Sequence, residues 1–469
     1  MPQHHERAPE RCHLRRLAPG PKPDDAICVI AGQRLPFALE STAPDHRHGR
    51  FTFLGFDPID TIEIHDVDAG WIDTLARRLG PPIVNTTPTG LPFVGGWVGF
   101  ITYEAGSALE NVRCTKPRDI SLPLVWFALY DTVAIYDHRL GQWTLAAVDC
   151  PQSDCRRPRP HDRLRRFEAL LLNAPPASPI DWSRDIADEP NPVMPRPDYL
   201  RRIETAKRHI EAGDIYQVNL TQRLTADCRA APLDIYRRLR IANPAPLGAY
   251  LDLGRSAVIS ASPELFLDLR DRHIITRPIK GTRPRTGDEI LDAARSGDLL
   301  ASEKDRAELN MIIDLERNDL GRVSEFGSVR VLSTGELETH PTVFHRVATV
   351  EGRLRGELAW PDLLRASFPG GSITGTPKIR AMQIIDDLEV TRRSVYCGSI
   401  GYIGLDGSLS FNIAIRTMIQ ERGRIHLFGG GAIVADSDPE DEYEESLAKV
   451  AGLMRSLRAR REAATTEAM

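Results

Sequence analysis

The chain has 469 residues, of which 41% are hydrophobic, so it can bury a large core. The 60 basic residues are outnumbered by 65 acidic ones, and no basic stripe of the kind that binds nucleic acid is present. The longest apolar stretch, Leu122 to Tyr130, is far shorter than the roughly 20 residues that a bilayer requires. With no secretory core at the start and no paired CxxC pattern, we expect a cytoplasmic protein without nucleic-acid or membrane partners.

The first part of the chain alternates apolar runs with glycine and proline, a pattern typical of strands. The predicted strands are Phe51 to Phe56, Phe93 to Tyr103, Leu122 to Ile135 and Trp143 to Val148. Seven prolines between positions 174 and 197 disfavour regular structure. We therefore predict a sheet-rich region over 1–190 and a second region over 195–457.

The second region begins with a predicted helix from the N-cap Asp198 to Gly213, followed by a strand over Ile215 to Leu220 and a helix over Leu233 to Ile241. Four short runs between Ala249 and Arg277 are spaced as antiparallel strands. Long helices are predicted at Ser302 to Glu316, at Pro377 to Leu388 with Thr376 as cap, and at Pro439 to Leu457. Helices mixed with hairpins predict an α+β fold, a layered α/β sandwich with antiparallel sheets and flanking helices.

Acidic residues recur at helical spacing in two of these helices. At about 100° per residue, Glu442, Glu445 and Lys449 share one face of the last helix, and Asp305 and Glu308 share a face of another. Carboxylates from two helices could hold a hard cation such as Mg²⁺. The same spacing is also typical of solvated faces with i, i+4 ion pairs.

Lys280 and Glu264 form a second candidate site. Lys280 follows a strand and has arginines nearby, which predicts a lowered pKa and a partly neutral, nucleophilic amine. Glu264 begins the preceding strand, so a hairpin would bring an acid to the same pocket. Taken singly, Lys280 is more typical of a solvated surface charge and Glu264 of a surface cap.

Two glycine-rich segments are predicted to be loops. Residues 370–375 precede a helix and could bind an anion, but Thr-Pro replaces the Lys-Ser/Thr of a nucleotide-binding P-loop. Residues 429–431 could let the backbone approach a ligand. Arg416 and Lys449 are candidate carboxylate ligands, whereas His345 and Tyr396 are equally typical of core positions.

Seven motifs, taken together in this order, resemble those of the chorismate-utilising enzymes, the family of anthranilate, aminodeoxychorismate, isochorismate and salicylate synthases. The resemblance is close over about 195–455. The motifs are GDIYQVN (213–219), SPE (262–264), PIKGT (278–282), DLERNDLGR (314–322), FPGGSITGTPK (368–378), CGSIGY (397–402) and IVADS (433–437).

Within this family the residue at position 280 separates the branches. The resemblance implies amination of chorismate at C4, because aminodeoxychorismate synthases carry Lys there whereas anthranilate synthases usually carry Ala. Gln217 stands where isochorismate and salicylate synthases have a water-activating Lys, which disfavours hydration of the ring. Anthranilate synthesis and a non-catalytic tryptophan-sensing or scaffolding role remain the alternatives.

The resemblance also implies roles for the other residues. Lys280 would be the nucleophile at C2 and Glu264 the acid that protonates the leaving oxygen. Mg²⁺ would be held by Glu308 and Glu445, supported by Asp305 and Glu442. The expected substrate ligands are Tyr396, Arg416, Gly430 and Lys449 for the carboxylates, with Thr282 and His345 on the ring side.

Partners and regulation follow from the same resemblance. No segment resembles a glutaminase, so ammonia is expected from a separate glutamine amidotransferase subunit, or from free ammonia at high concentration. A tryptophan pocket is expected, and whether tryptophan binds there or regulates is left open. Its residues would be Ser41, Arg50, Phe51, Pro246, Leu247 and Gly248.

Overall fold

The computed structural model describes residues 12–43, 49–83, 90–150 and 157–460. Within these residues twelve strands form one antiparallel sheet and ten form another. The sheets share a hydrophobic core, in which the ring of Phe53 from the larger sheet lies 5.9 Å from that of Tyr402 from the smaller one. The predicted α+β class, with antiparallel sheets and flanking helices, is confirmed.

The strands come first. They are β1 (Cys12–Leu17), β2 (Phe37–Glu40), β3 (Phe51–Gly55), β4 (Asp60–Ile64), β5 (Gly96–Ile101), β6 (Val125–Tyr130), β7 (Thr132–Asp137), β8 (Gln142–Val148), β9 (Asn191–Pro192), β10 (Gln217–Asp227), β11 (Leu247–Asp252), β12 (Ser256–Ser262), β13 (Leu265–Arg270), β14 (His273–Arg277), β15 (Ile279–Pro284), β16 (Arg330–Thr339), β17 (Val343–Arg353), β18 (Gly375–Thr376), β19 (Ser399–Gly404), β20 (Leu409–Ile413), β21 (Thr417–Glu421) and β22 (Arg424–Ile433).

The helices lie between these strands. They are α1 (Pro23–Ile30), α2 (Trp71–Leu79), α3 (Tyr103–Leu109), α4 (Pro160–Leu172), α5 (Arg196–Glu211), α6 (Pro232–Ala242), α7 (Glu289–Ala301), α8 (Glu303–Gly321), α9 (Trp360–Ser367), α10 (Lys378–Leu388) and α11 (Pro439–Leu457), with a short 3₁₀ turn at Gly371–Ile373. In the part of the chain that the structure describes, no helix is long and apolar enough to cross a bilayer.

Both sheets contain strands from both ends of the chain. The order in the larger sheet is β1-β8-β7-β3-β2-β11-β12-β21-β22-β10-β18, with β9 beside β10, and in the smaller sheet it is β15-β17-β14-β13-β20-β19-β5-β6-β4, with β16 beside β17. Strand β2 pairs with β11, and β5 pairs with β19. The two predicted regions therefore share their sheets, and the division of the chain at 190–195 stays a prediction.

The apolar run from Leu122 to Ile135 was predicted to be one strand, and this is wrong. Asp131 divides it into β6, which belongs to the smaller sheet, and β7, which belongs to the larger one. The Asp131 side chain is fully buried and forms ion pairs with Arg157, at 2.9 Å, and with Arg163. A buried carboxylate requires such partners, and two arginines supply them at the point where the chain changes sheets.

Three other local predictions are also corrected. The helix assigned to Asp198 begins two residues earlier, at Arg196, with Pro195 as its cap. Thr376 does not cap a helix, because it pairs with Gln217 as part of β18. Residues 429–431 are not a loop but belong to β22. Backbone hydrogen bonds to a distant strand override local glycine and capping preferences here.

A buried ion pair joins β10, the last strand but one of the larger sheet, to the loop after α9. Arg393 Nη2 lies 2.7 Å from Glu389 Oε1, and both residues are almost fully buried. The same carboxylate oxygen accepts a hydrogen bond of 2.7 Å from the hydroxyl of Thr221, on β10. The Arg393 guanidinium donates to the backbone oxygens of Asn219, at 2.6 Å, and Ile373, at 2.8 Å. This pair therefore fixes β10 relative to the loop.

We predict that Arg393→Met lowers the free energy of unfolding by about 3–5 kcal/mol, because it leaves the Glu389 carboxylate buried without its partner. Urea unfolding followed by tryptophan fluorescence measures this change. Arg317→Ala is the control, since it breaks a 2.9 Å pair with Asp314 that is more than half exposed. Equal shifts of the unfolding midpoint in the two variants would contradict the prediction.

Candidate active site

A cavity of about 1110 Å³ is lined by β10, β15, β17, β22, α8 and α11 and by the loop after α9. It collects all of the residues that the sequence predicted for catalysis, substrate binding and metal binding, although their roles stay predictions. These residues are Glu264, Lys280, Thr282, Asp305, Glu308, His345, Tyr396, Arg416, Gly430, Glu442, Glu445 and Lys449.

The Lys280 amine and the Glu264 carboxyl face this cavity together. Lys280 lies on β15, and its Nζ donates to the backbone oxygen of Ser372 at 3.3 Å. Burial raises the pKa of Glu264 to about 7, and this rise is opposed by a hydrogen bond from Ser372 and by the Lys280 charge. Burial also lowers the pKa of Lys280, opposed by the charge of Glu308. Burial thus shifts both groups toward their uncharged forms, the carboxylic acid of Glu264 and the free amine of Lys280.

The predicted hairpin between the two residues is confirmed. Strands β13 and β14 pair in antiparallel register, with Leu265 opposite Arg277. Glu264 directly precedes Leu265, and Lys280 follows Arg277 by three residues. The ends of one hairpin therefore bring the acid and the amine to the same place.

The predicted cause of the lowered Lys280 pKa is wrong. Arg277 lies 2.5 Å from a carboxylate oxygen of Glu338, and Arg283 lies 3.0 Å from one of Asp305, so these positive charges are neutralised locally. The removal of Lys280 from water is the largest cause of the shift. Desolvation of this kind disfavours an ammonium even without like charges nearby.

The acidic face of α11 points into the cavity, as its spacing predicted. Lys449 Nζ lies 2.7 Å from Glu445 Oε1, and Lys304 Nζ, from α8, lies 3.6 Å from Glu442 Oε1. The Lys449 charge lowers the pKa of Glu445, whereas burial raises that of Glu442. Two lysines thus neutralise part of the negative charge in this cluster.

The second pair of carboxylates lies on α8. Asp305 is bound by Arg283, and burial raises the pKa of Glu308. Among the described residues, no three acidic, histidine or cysteine side chains are grouped closely enough to form a metal centre as they stand. The four carboxylates nevertheless border one cavity and supply the oxygen atoms that Mg²⁺ prefers.

Gly431 leaves space beside the carboxylates of α11. A Cβ at this position would lie 3.0 Å from Glu442 Oε2 and 3.6 Å from Glu445 Oε1. Any side chain would therefore enter the space between β22 and the acidic face of α11. The donor chemistry and this space fit a small, hard divalent cation.

The predicted substrate ligands surround the rest of the cavity. The Tyr396 ring stacks on Phe428 at 5.1 Å, and burial raises the pKa of its hydroxyl, which keeps its proton. Burial lowers the pKa of Arg416 to about 10, so the guanidinium is still charged at neutral pH. Thr282 Oγ1 lies 2.9 Å from His345 Nδ1 across β15 and β17. The cavity can thus bind anions through Arg416 and hydroxyl groups through neutral side chains.

Three residues around the cavity were not predicted from the sequence. Lys304 lies four positions before the predicted ligand Glu308, a spacing that could have indicated an ion pair on α8. Ser372 contacts both Lys280 and Glu264 but lies in a segment predicted only to bind anions. Glu316 is buried behind that segment, and no local pattern marked it as buried.

The predicted tryptophan-pocket residues do not line the cavity. Arg50 forms an ion pair with Asp137 at 2.7 Å, and its guanidinium lies 4.7 Å from the centre of the Phe51 ring. Gly248 pairs with Glu40 where β11 meets β2, next to Ser41. Pro246 and Leu247 belong to the same junction. Tryptophan binding there stays a prediction.

Comparisons with known proteins agree with this geometry. The chain is 38% identical over 455 residues to aminodeoxychorismate synthase component 1 of Klebsiella aerogenes, covering 93% of this chain and 97% of that protein. It is also 38% identical over 433 residues to anthranilate synthase component 1 of Thermus thermophilus, covering 90% and 92% respectively.

Solved structures share the fold. Anthranilate synthase component I of Streptococcus pneumoniae superposes with a TM-score of 0.77 at 32% identity, over 87% of this chain and 92% of that one. The isochorismate synthase MenF of Escherichia coli superposes with a TM-score of 0.72 at 19% identity, over 95% of both chains. The family model described as chorismate binding enzyme matches residues 36–455. The chain therefore belongs to the family of chorismate binding enzymes.

Proposed function

We propose that the protein replaces the 4-hydroxyl of chorismate by an amino group, forming 4-amino-4-deoxychorismate, a precursor of para-aminobenzoate and folate. The observation that carries this proposal is the desolvated amine of Lys280, which lines the cavity with the acid Glu264. The similarity to the aminodeoxychorismate synthase component of Klebsiella aerogenes also supports it.

In the proposed reaction the neutral Lys280 amine bonds to C2 of the ring, both conjugated ring double bonds shift (C1=C2 to C1=C6 and C5=C6 to C4=C5), and the bond from C4 to its hydroxyl breaks. Glu264 gives a proton to the leaving oxygen, which departs as water. Ammonia then bonds to C4, the shift reverses, and the amine of Lys280 is released. Because hydroxide is a poor leaving group, general acid help of this kind typically contributes about 10²–10⁴-fold.

The negative charges of the two chorismate carboxylates must also be neutralised in a largely buried cavity. Arg416 and Lys449 supply positive charge. The Tyr396 hydroxyl can donate a hydrogen bond to a substrate carboxylate, and the backbone of Gly430 can approach the substrate closely. These groups would orient the ring so that C2 faces Lys280. Thr282 and His345 would contact the ring from β15 and β17.

We propose that Mg²⁺ completes the site. Glu308 and Glu445 would hold it, with Asp305 and Glu442 in support. When bound, the ion would neutralise a substrate carboxylate next to these four acidic side chains. Lys304 and Lys449 already offset part of the same negative charge.

Ammonia is proposed to come from a separate glutamine amidotransferase subunit, or from free ammonia at high concentration. The curated relatives are named as first components, a wording that fits a second subunit. The competing function is that of anthranilate synthase component I. The identity to the Thermus thermophilus protein, 38%, is the same as that to the Klebsiella aerogenes protein, so overall identity does not separate the two functions. Lys280 supports amination at C4 instead.

Product identification tests the proposal directly. With chorismate, Mg²⁺ and ammonium, and after addition of the downstream lyase, we expect para-aminobenzoate by liquid chromatography. Mass spectrometry of enzyme quenched during turnover should show the ring bound to Lys280, because the proposed reaction passes through that bond. Fluorescent anthranilate formed without the lyase would establish the competing function.

The pKa of Glu264, about 7, predicts the alkaline side of the pH profile. The acid works only when protonated, so kcat/KM should fall as the pH rises through about 7. Lys280 works only when neutral, and burial lowers its pKa, which extends activity toward lower pH than an ordinary lysine would allow. Glu264→Gln should lower the rate by about 10²–10⁴-fold and remove the alkaline fall, whereas an unchanged fall in this variant would exclude Glu264 as its origin.

Metal binding is tested on α11. Glu445→Gln should weaken Mg²⁺ binding by at least about tenfold, because it removes one charged ligand. Isothermal titration calorimetry without substrate measures this independently of turnover. Glu444→Gln is the matched control, since Glu444 is exposed on the same helix and does not line the cavity. Identical titration curves for the two variants would remove Glu445 from the ligands.

A further inference from the structure

The glycine-rich segment 369–376 is neither a phosphate-binding loop nor a simple turn. Its residues 370–375 are buried, and Ser372 lines the cavity. We infer that Glu316, which lies behind this segment, is a positioning residue that holds Ser372 against Lys280 and Glu264. The inference rests on the proposed function only for the roles of Lys280 and Glu264.

Ser372 touches both of these groups. Its backbone oxygen accepts a hydrogen bond of 3.3 Å from Lys280 Nζ. Its side chain is hydrogen bonded to the Glu264 carboxyl. One residue thus sets the separation between the amine and the acid. Since the two groups act at different ring atoms of one substrate, a change of about 1 Å in that separation can cost about 10²-fold in rate.

The backbone on both sides of Ser372 is held from behind. On one side, Glu316 Oε1 accepts the N–H of Gly371 at 3.3 Å. On the other side, Arg393 donates to the backbone oxygen of Ile373 at 2.8 Å. The position of Ser372 is therefore determined by two buried side chains that do not line the cavity.

Gly371 makes the contact with Glu316 possible. A Cβ on Gly371 would lie 2.5 Å from Leu315 Cδ2 and 3.2 Å from Glu316 Oε1. Both of these neighbours belong to α8, so a side chain at position 371 would displace Leu315 or Glu316. The loop is thereby seated on the same helix that carries Glu308 into the cavity.

Glu316 is not explained by the rest of the proposed mechanism. It is 2% exposed, and its Oε2 has no hydrogen-bond partner among the described residues. A buried carboxyl with one oxygen left without a hydrogen bond destabilises a fold. Within the described residues, the Glu316 carboxyl accepts a hydrogen bond from the N–H of Gly371, the residue next to Ser372.

The test compares two substitutions of Glu316. Glu316→Gln keeps an oxygen acceptor for Gly371, and Glu316→Met keeps a similar length without one. We expect Glu316→Met to lower kcat for chorismate consumption by about tenfold with little change in KM, because a buried N–H is left without its acceptor and the loop shifts. Glu316→Gln should retain at least half of the wild-type kcat.

Ile312→Val is the stability control. Ile312 is fully buried on the same helix, so its substitution should lower the thermal midpoint without lowering kcat. The inference is overturned if Glu316→Met retains the wild-type kcat, if Glu316→Gln loses as much as Glu316→Met, or if the loss appears only in KM. It is also overturned if Ile312→Val and Glu316→Met lose the same fraction of kcat for each degree by which the thermal midpoint falls. In that case the loss of kcat would reflect lower stability alone.

Chorismate consumption is followed whatever product forms, so this experiment does not depend on where the ring is aminated. A wild-type enzyme that makes anthranilate would refute the proposed function and leave the comparison of kcat values intact. A wild-type enzyme that makes 4-amino-4-deoxychorismate, with equal kcat in all Glu316 variants, would refute only the role of Glu316. The two failures are thus distinguishable.

Discussion

Desolvation of opposite charges in one cavity is the constraint on which the rest of this structure depends. Away from bulk water, the pKa of Lys280 falls and that of Glu264 rises, so both shift toward their neutral forms. The same environment makes unpaired carboxylates costly, and Lys304 and Lys449 accordingly lie beside Glu442 and Glu445. The proposed nucleophile, acid and cation ligands therefore all depend on burial in the same cavity.

The fold supplies that burial by sharing its sheets between distant parts of the chain. Strand β10 pairs with β22 in the larger sheet, while the Glu264 and Lys280 hairpin belongs to the smaller one. Arg393 and Glu389 join β10 to the loop that carries Ser372. The cavity is thus bordered by elements that are fixed to one another through buried polar contacts.

Local spacing predicted the parts of the site that lie on single elements. The shared face of Glu442, Glu445 and Lys449 follows from helical periodicity, and the approach of Glu264 and Lys280 follows from one hairpin. Residues 429–431 were misassigned to a loop because three glycines satisfy turn preferences, whereas pairing with β10 makes them a strand. Asp131 was likewise recognised as the end of an apolar run, but not as the point where the chain changes sheets.

The sequence by itself determined the fold class, the family and the set of chemically competent side chains, since these depend on periodicity, composition and ordered motifs. Only the tertiary structure decided which environment each side chain occupies. It identified burial as the cause of the Lys280 shift, paired Lys304 with Glu442, and placed Glu316 behind Gly371. The physical reason is that desolvation and long-range pairing depend on residues far apart in the chain, and local patterns do not encode their distances.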